Sequence, residues 1–182
     1  NTGVEDSSPQ YFTSSGGNMP LFFSAFDPVN GRELWKTDGT QVGTALIKDI
    51  NPGSTSSNPG YITWFQGKVY FQAQDGVRGN ELWVSDGTSA GTALLEDIRV
   101  GAGSSNPCYF SVFTSPMDNT EYLLFVATDG FAMTGDQLIE GIGGAQFWRT
   151  DGLSSGTYRA FERTFNDLYI DRESLDIQHP SK

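Results

Sequence analysis

Three aspartates at equivalent positions are the first residues whose type and spacing could do chemistry. Asp38, Asp86 and Asp151 each precede a glycine, and the first two lie 48 residues apart. Carboxylate oxygens are calcium ligands, but a calcium site needs about six to eight oxygens, and a turn with one aspartate supplies few. We expect these aspartates to cap backbone donors of a turn. Calcium binding remains the alternative at this position.

Residues for enzyme catalysis are scarce. The only histidine, His179, stands beside Pro180 in a polar C-terminal segment, which is a poor position for a preorganised general base. A single histidine also excludes a His-rich zinc site. Aspartate and glutamate total 22, so a carboxylate pair for glycoside cleavage is available, but nothing singles out two of them. The sequence favours a non-catalytic protein without a cofactor, and a glycan-acting enzyme is the less favoured alternative.

The net charge indicates which classes of partner are unfavourable. Eleven basic residues against 22 acidic ones give a net charge of −11, which argues against nucleic acid and anionic membranes as partners. We find no apolar run near the ~20 residues that a membrane helix requires, and we predict no transmembrane segment. Cys108 is the only cysteine, so the chain forms no intramolecular disulfide.

The aspartates belong to a longer repeat. Residues 33–40 read ELWKTDGT and residues 81–88 read ELWVSDGT, with Gly-Thr-Ala-Leu and Asp-Ile following at identical offsets. A weaker third copy, QFWRTDG, covers residues 146–152. Its spacing from the second copy is larger, and most of the extra residues fall in a loop at 131–145. We place the repeats at about 1–50, 51–98 and 99–163, within one domain at 1–165, and residues 166–182 form a tail or arm.

Each repeat predicts four strands. In the second copy the predicted strands cover residues 61–66, 68–74, 81–85 and 92–98, with alternation of polar and apolar residues and turn signals between them. Four antiparallel strands in 40–50 residues are typical of a β-propeller blade. The expected fold is therefore all-β, with three four-stranded blade-like repeats. A β-trefoil, which also has three four-strand units, is the alternative.

The repeated pattern resembles the ELWxxDGT repeat, which occurs in tandem in large secreted or surface proteins. The first two copies match it closely, whereas the third departs from it at Gln146 and Phe147. The resemblance implies propeller-type blades and an extracellular or other exported compartment. It implies no shared chemistry, ligand or catalytic residue.

Aromatic and apolar residues divide into core and binding candidates. Trp35, Trp83 and Trp148 recur in every copy, which favours a structural core role between stacked units. Trp64 does not recur and is the candidate for an exposed aromatic. The loop at 131–145 and the tail break the repeat, and their apolar residues would suit a protein partner. These binding candidates are Phe131, Met133, Leu138, Ile139 and Tyr169.

The sequence favours a non-catalytic interaction module, a rigid β scaffold that acts as a subunit or docking domain of a larger assembly. Protein partners or other subunits are expected because three blades do not reach the four to eight of a closed propeller. The alternative is a secreted surface domain that binds carbohydrate or calcium.

Overall fold

The structure is a computed structural model that describes residues 6–14, 16–17, 20–117, 119–134, 137–140 and 144–160. Within these ranges the chain is all-β, as the repeat predicted, and its one helical segment is a single 3₁₀ turn at Ser154–Gly156. No helix among the described residues is both long and apolar enough to cross a membrane.

The strands form three four-stranded antiparallel sheets, one for each repeat. We call residues 6–50 unit 1, residues 51–98 unit 2 and residues 99–160 unit 3. Unit 1 contains β1 (Gln10–Thr13), β2 (Leu21–Asp27), β3 (Gly31–Thr37) and β4 (Ala45–Lys48), paired in that order. Unit 2 contains β5 (Gly60–Phe65), β6 (Lys68–Ala73), β7 (Glu81–Ser85) and β8 (Ala93–Glu96), also paired in order.

Unit 3 repeats this sheet with an inserted hairpin. Its sheet runs in the order β9 (Cys108–Thr114), β10 (Glu121–Ala127), β13 (Gln146–Thr150) and β14 (Tyr158–Arg159). Between β10 and β13, strands β11 (Phe131–Thr134) and β12 (Gln137–Glu140) pair with each other as a separate two-stranded sheet. The prediction of a loop at 131–145 was therefore wrong for most of that segment, because its two apolar stretches pair through their backbones.

The predicted strand positions in unit 2 are close to the observed ones. The first three strands agree within one residue at each end, whereas the fourth is shorter than predicted, at Ala93–Glu96. The ladder between β7 and β8 has an irregularity between Leu82 and Trp83, and unit 1 has the same irregularity between Leu34 and Trp35. Both units therefore share this detail as well as their strand order.

The arrangement of the sheets is blade-like. Every described strand pairing lies within a unit, and the described residues form no closed barrel. The first strands of successive units, β1, β5 and β9, lie next to one another. The unit count fits the β-trefoil alternative too, but a trefoil closes a barrel by pairing strands of different units, so pairing within units favours blades.

The hydrophobic core lies between the units because each sheet is apolar on both faces. We call the face that packs on the following unit the front face and the face that packs on the preceding unit the back face. In strand β6 successive side chains alternate between them, as a pleated strand requires. Val69 and Phe71 lie on the back face with unit 1, whereas Tyr70 lies on the front face near unit 3. Burial between units therefore dominates the packing energy.

Candidate functional site

The interface between units 1 and 2 shows how one unit recognises the next. The ring of Phe22, on the front face of unit 1, lies 6.1 Å from the Trp64 indole of unit 2. The Lys36 ammonium donates to the carbonyl oxygen of Gly87 across the interface, at 2.7 Å. A Cβ atom at Gly87 would meet the Phe22 ring at 3.3 Å, and the φ of +88° at this position also favours glycine. The turn of one unit is thus shaped to receive an aromatic side chain of the preceding unit.

Units 2 and 3 repeat this contact. Phe65 and Tyr70 of unit 2 form a buried cluster with Leu123 of unit 3. A Cβ atom at Gly152 would lie 2.8 Å from the Tyr70 hydroxyl oxygen, so the turn of unit 3 receives Tyr70 as the turn of unit 2 receives Phe22. The front-to-back contact is therefore one interface used twice along the chain.

A buried glutamate fastens each unit to the linker that leads to the next one. Glu33 is fully buried, and its carboxylate accepts hydrogen bonds from the Ser57 amide at 2.9 Å, the Ser57 hydroxyl at 2.5 Å and the Ile50 amide at 3.1 Å. Burial raises the pKa of Glu33 to about 7, against the opposing effect of these donors. The Glu33 side chain therefore points into the linker that leads to unit 2.

Glu81 makes the equivalent set of bonds in unit 2. It accepts from the Ser105 amide at 2.8 Å, the Ser105 hydroxyl at 2.6 Å and the Ile98 amide at 2.8 Å. Burial raises its pKa as well. The Arg99 backbone amide also donates to the Glu81 carboxylate, at 3.3 Å. In the third repeat the matching residue is Gln146, whose side-chain amide donates to the Phe131 carbonyl oxygen at 3.1 Å.

The front face of unit 3 is exposed where the same face of unit 2 is buried. Phe65 of unit 2 is 2% exposed, and Phe113 at the equivalent position of unit 3 is 43% exposed. Tyr70 is fully buried, whereas its counterpart Leu124 is only half-buried. This apolar face carries the features of an interface, and no described unit follows it.

The back face of unit 1 is also exposed in part, at its first strand and at its turn. Phe12 is 57% exposed, whereas Ile62 at the equivalent position of unit 2 is 6% exposed. Gly39 corresponds to Gly87 and Gly152, yet a Cβ atom at Gly39 would have no neighbour within 4 Å. We call the back face of unit 1 and the front face of unit 3 the two end faces.

A row of tyrosines runs across the three first strands. Tyr11, Tyr61 and Tyr109 occupy equivalent positions, and neighbouring ring centroids are 5.7 and 5.8 Å apart. The rings at both ends of the row remain accessible, with Tyr11 45% and Tyr109 73% exposed. Burial is the main reason why the pKa of Tyr61 is raised, followed by the proximity of Cys108 and Tyr109. The phenol of Tyr61 therefore stays protonated at neutral pH.

The backbone is strained along this row. Tyr11, Tyr61 and Tyr109 have φ values of 56°, 53° and 56°, in the left-handed region that bulky residues rarely adopt. Asn58, three residues before Tyr61, also has a positive φ, and its amide donates to the carbonyl oxygen of Arg32 in the preceding unit at 3.2 Å. Strain of this kind persists where surrounding contacts fix the chain, and it clusters at ligand sites.

The repeated aspartates cap turns. The Asp38 carboxylate accepts from the amide and the hydroxyl of Thr40, at 2.9 and 2.7 Å, and Asp86 makes the same two bonds to Thr88. Asp151 accepts from the Leu153 amide at 3.0 Å. The threonine hydroxyl bond is the main cause that lowers the pKa of Asp38. Among the described residues no three His, Cys, Asp or Glu side chains come together in a group that could hold a metal ion.

The three repeated tryptophans lie on the back faces of their units, and Trp64 lies on the back face of unit 2. Trp83 and Trp148 are buried in the two inter-unit clusters, and Trp35 is half-buried because its face lies at the end of the stack. Trp64 packs against the first of these clusters. Trp64, the candidate for an exposed aromatic, is half-buried, because it packs against the front face of unit 1.

The other predicted binding residues are only partly described. Phe131 is 38% exposed at the start of β11, and the backbone register pairs Met133 with Leu138 and Ala132 with Ile139. The structure gives no description of the side chains of Met133, Leu138 and Ile139. Tyr169 lies outside the described residues.

The end faces and the tyrosine row were missed from the sequence, although a signal for the row is present. The pattern Ser-(Ser/Asn)-Pro-x-Tyr occurs at residues 7–11, 57–61 and 105–109. It places a turn-forming proline segment and a tyrosine at the start of every unit. The end faces could be found only by knowing which face of each strand meets the next unit.

Comparisons with known proteins identified no similar protein. Neither a family model, nor a curated protein, nor a solved structure matches the chain.

Proposed function

We propose that this protein is a non-catalytic interaction module, a rigid stack of β units that acts as a subunit or docking domain of a larger assembly. The observation that supports this proposal is the difference between Phe65 and Phe113. The same aromatic position is covered inside the stack and accessible at its end. Exposed apolar area of this kind is typical of interaction surfaces.

The packing supports a rigid scaffold. Unit 2 packs on both of its neighbours, one with each face, and the glutamate bonds described above join each of the first two units to the following linker. Close packing and hydrogen-bonded buried carboxylates favour one well-defined geometry. A partner would therefore meet a preformed end face and would not need to order it first.

Cysteine labelling tests whether this face is accessible for docking. In a Cys108→Ser background, a maleimide should react with Phe113→Cys nearly as fast as with Val42→Cys, because Val42 is almost fully exposed. Val69→Cys is the buried control and should react slowly, because Val69 is fully buried between units. If position 113 proves as protected as position 69 in the dilute monomer, other residues of the chain cover the face and the proposal fails.

Carbohydrate binding is a second candidate function, and the tyrosine row supports it. Aromatic rings bind sugars by stacking, and the row offers accessible rings at Tyr11 and Tyr109 on a strained, fixed backbone. Titration with a panel of oligosaccharides should produce heat that Tyr109→Ala reduces and the distant Val42→Ala does not. The absence of heat with every oligosaccharide would remove this candidate.

A further inference from the structure

We infer that the front face of unit 3 binds the back face of unit 1 in a second copy of this chain, so that two copies close a ring of six units. The inference rests on the proposed function, because it names the partner that docks on the end faces.

The chain itself supplies the template for this contact. Each front face in the interior of the stack meets the back face of the following unit, through the same aromatic position and the same turn. The two end faces are the two halves of this interface, one at each end of the described stack. A second copy matches both end faces. Its front face resembles the front faces that already cover back faces inside the stack, and its back face resembles the back faces that they cover.

Steric fit supports the match. Phe22 lies against Gly87, and Tyr70 lies against Gly152, whereas the space around Gly39 is open. Leu124 is the front-face counterpart of Phe22 and Tyr70, as the register of β10 with β13 shows. In the proposed ring, Leu124 of one copy occupies the space beside Gly39 of the other.

A polar contact across the interface between units 1 and 2 also has a counterpart at the front face of unit 3. Lys36 donates to the Gly87 carbonyl oxygen of the next unit at 2.7 Å, and Arg149 occupies the position of Lys36 in unit 3. The Arg149 guanidinium lies 4.3 Å above the Tyr122 ring and 4.4 Å from the Tyr158 ring, which hold it on the front face. In the ring of six units, it would donate to the Gly39 carbonyl oxygen of the second copy.

The tyrosine row would also become continuous. Tyr109 is the most exposed ring of the row, and its next neighbour in the repeat pattern is the ring of Tyr11 from the second copy. Six units lie within the range of about four to eight blades that closed propellers contain. A twofold axis relates the two copies, and both end faces of each copy are then buried.

Sedimentation velocity of the full chain tests the inference. We expect a two-chain species at micromolar concentration, favoured by about 0.3 M salt because each copy carries a net charge of −11. Phe113→Glu disrupts one end face and Phe12→Glu disrupts the other. Each should raise the dissociation constant by about 30-fold or more. Val42→Glu, in an exposed turn, is the matched control and should leave it unchanged.

Mixing the two variants tests whether the front face of one copy binds the back face of the other, rather than the same face on both copies. Phe113→Glu keeps an intact back face of unit 1, and Phe12→Glu keeps an intact front face of unit 3. The mixture should therefore recover a two-chain species through one intact interface. If Phe113→Glu does not keep the native circular dichroism spectrum, Tyr109→Glu replaces it, because Tyr109 would meet Tyr11 of the second copy in the proposed ring.

Three results would overturn the inference. They are a wild-type chain that stays monomeric at every concentration, a dimer that both variants leave intact, and a mixture that does not reassociate. A monomer whose position 113 labels rapidly would refute the second copy as partner while leaving the proposed docking function in place. A monomer in which position 113 is protected would refute both.

Discussion

The hydroxyl of Ser57 donates a hydrogen bond of 2.5 Å to the buried carboxylate of Glu33 in the preceding unit. The same carboxylate also accepts from the Ser57 backbone amide, so one glutamate fixes the point where the chain enters unit 2. Ser105 and Glu81 repeat the arrangement between units 2 and 3. Buried polar groups therefore fix the path of each linker between successive units.

This buried carboxylate predicts a dependence of stability on pH. The pKa of Glu33 is about 7 in the folded state against 4.5 for an unperturbed glutamate, because burial disfavours the charged form. Between these values the folded chain binds more protons than the unfolded chain, so the free energy of unfolding decreases as the pH rises from about 4.5 to 7. We expect a loss on the order of 1–3 kcal/mol, measured by urea unfolding across this range.

Glutamine variants give the matched test of this slope. Glu33→Gln cannot titrate, and because Glu81 has a pKa raised in the same direction, the double variant Glu33→Gln/Glu81→Gln should flatten the profile between pH 4.5 and 7. Glu121→Gln, on an exposed residue, should keep the wild-type slope. An unchanged slope in the double variant would show that other groups cause the pH dependence.

The turn aspartates predict stability that does not depend on calcium. The Asp86 carboxylate accepts hydrogen bonds from the backbone amide and the hydroxyl of Thr88. The bond from the hydroxyl is the main reason why the pKa of Asp86 is lowered. Its contribution should be complete at neutral pH and decrease as the pH falls through the lowered pKa. Asp86→Ala should lower the melting temperature at pH 7, measured by circular dichroism.

The calcium arm of this experiment separates capping from metal binding. Wild-type protein should melt at the same temperature in millimolar calcium and in a chelator, because the turn bonds are made by the protein alone. A rise of several degrees with calcium that disappears in Asp86→Ala would show that the turn binds the ion.

The left-handed backbone at Asn58 predicts a strong preference among substitutions. Its φ is 52°, a conformation that glycine adopts freely and β-branched residues resist. Asn58→Gly should change the free energy of unfolding by less than about 1 kcal/mol, whereas Asn58→Val should destabilise by about 1–2 kcal/mol. Equal effects of the two substitutions in urea unfolding would contradict the left-handed assignment.

The strand order and the turns could be predicted from sequence because their causes are local. Alternating apolar residues around Phe71, and the Asp86-Gly87 turn, determine a strand and a hairpin within one repeat. The hairpin inserted in unit 3 was missed because its strands break the repeat period. Trp64 was a candidate for an exposed aromatic because its position does not recur, but it is half-buried because it packs near Phe22 of another unit.

The candidate site was harder to predict because it depends on what is next to each unit. Phe65 and Phe113 are the same residue type at the same repeat position, so no local pattern distinguishes the buried ring from the exposed one. The residues around Glu33 do not indicate a buried carboxylate, because its burial follows from the path of a linker more than 20 residues further along the chain. Such differences appear only when the units are stacked.

Matched alanine substitutions at those two phenylalanines test the central claim most directly. Urea unfolding should be measured at a concentration where the chain is monomeric. Phe65→Ala leaves a cavity between units 2 and 3 and should cost about 3–5 kcal/mol, whereas Phe113→Ala at the end face should cost less than about 1 kcal/mol. Equal costs at the two positions would contradict an account in which the front face of unit 2 is buried against unit 3 and the front face of unit 3 is open.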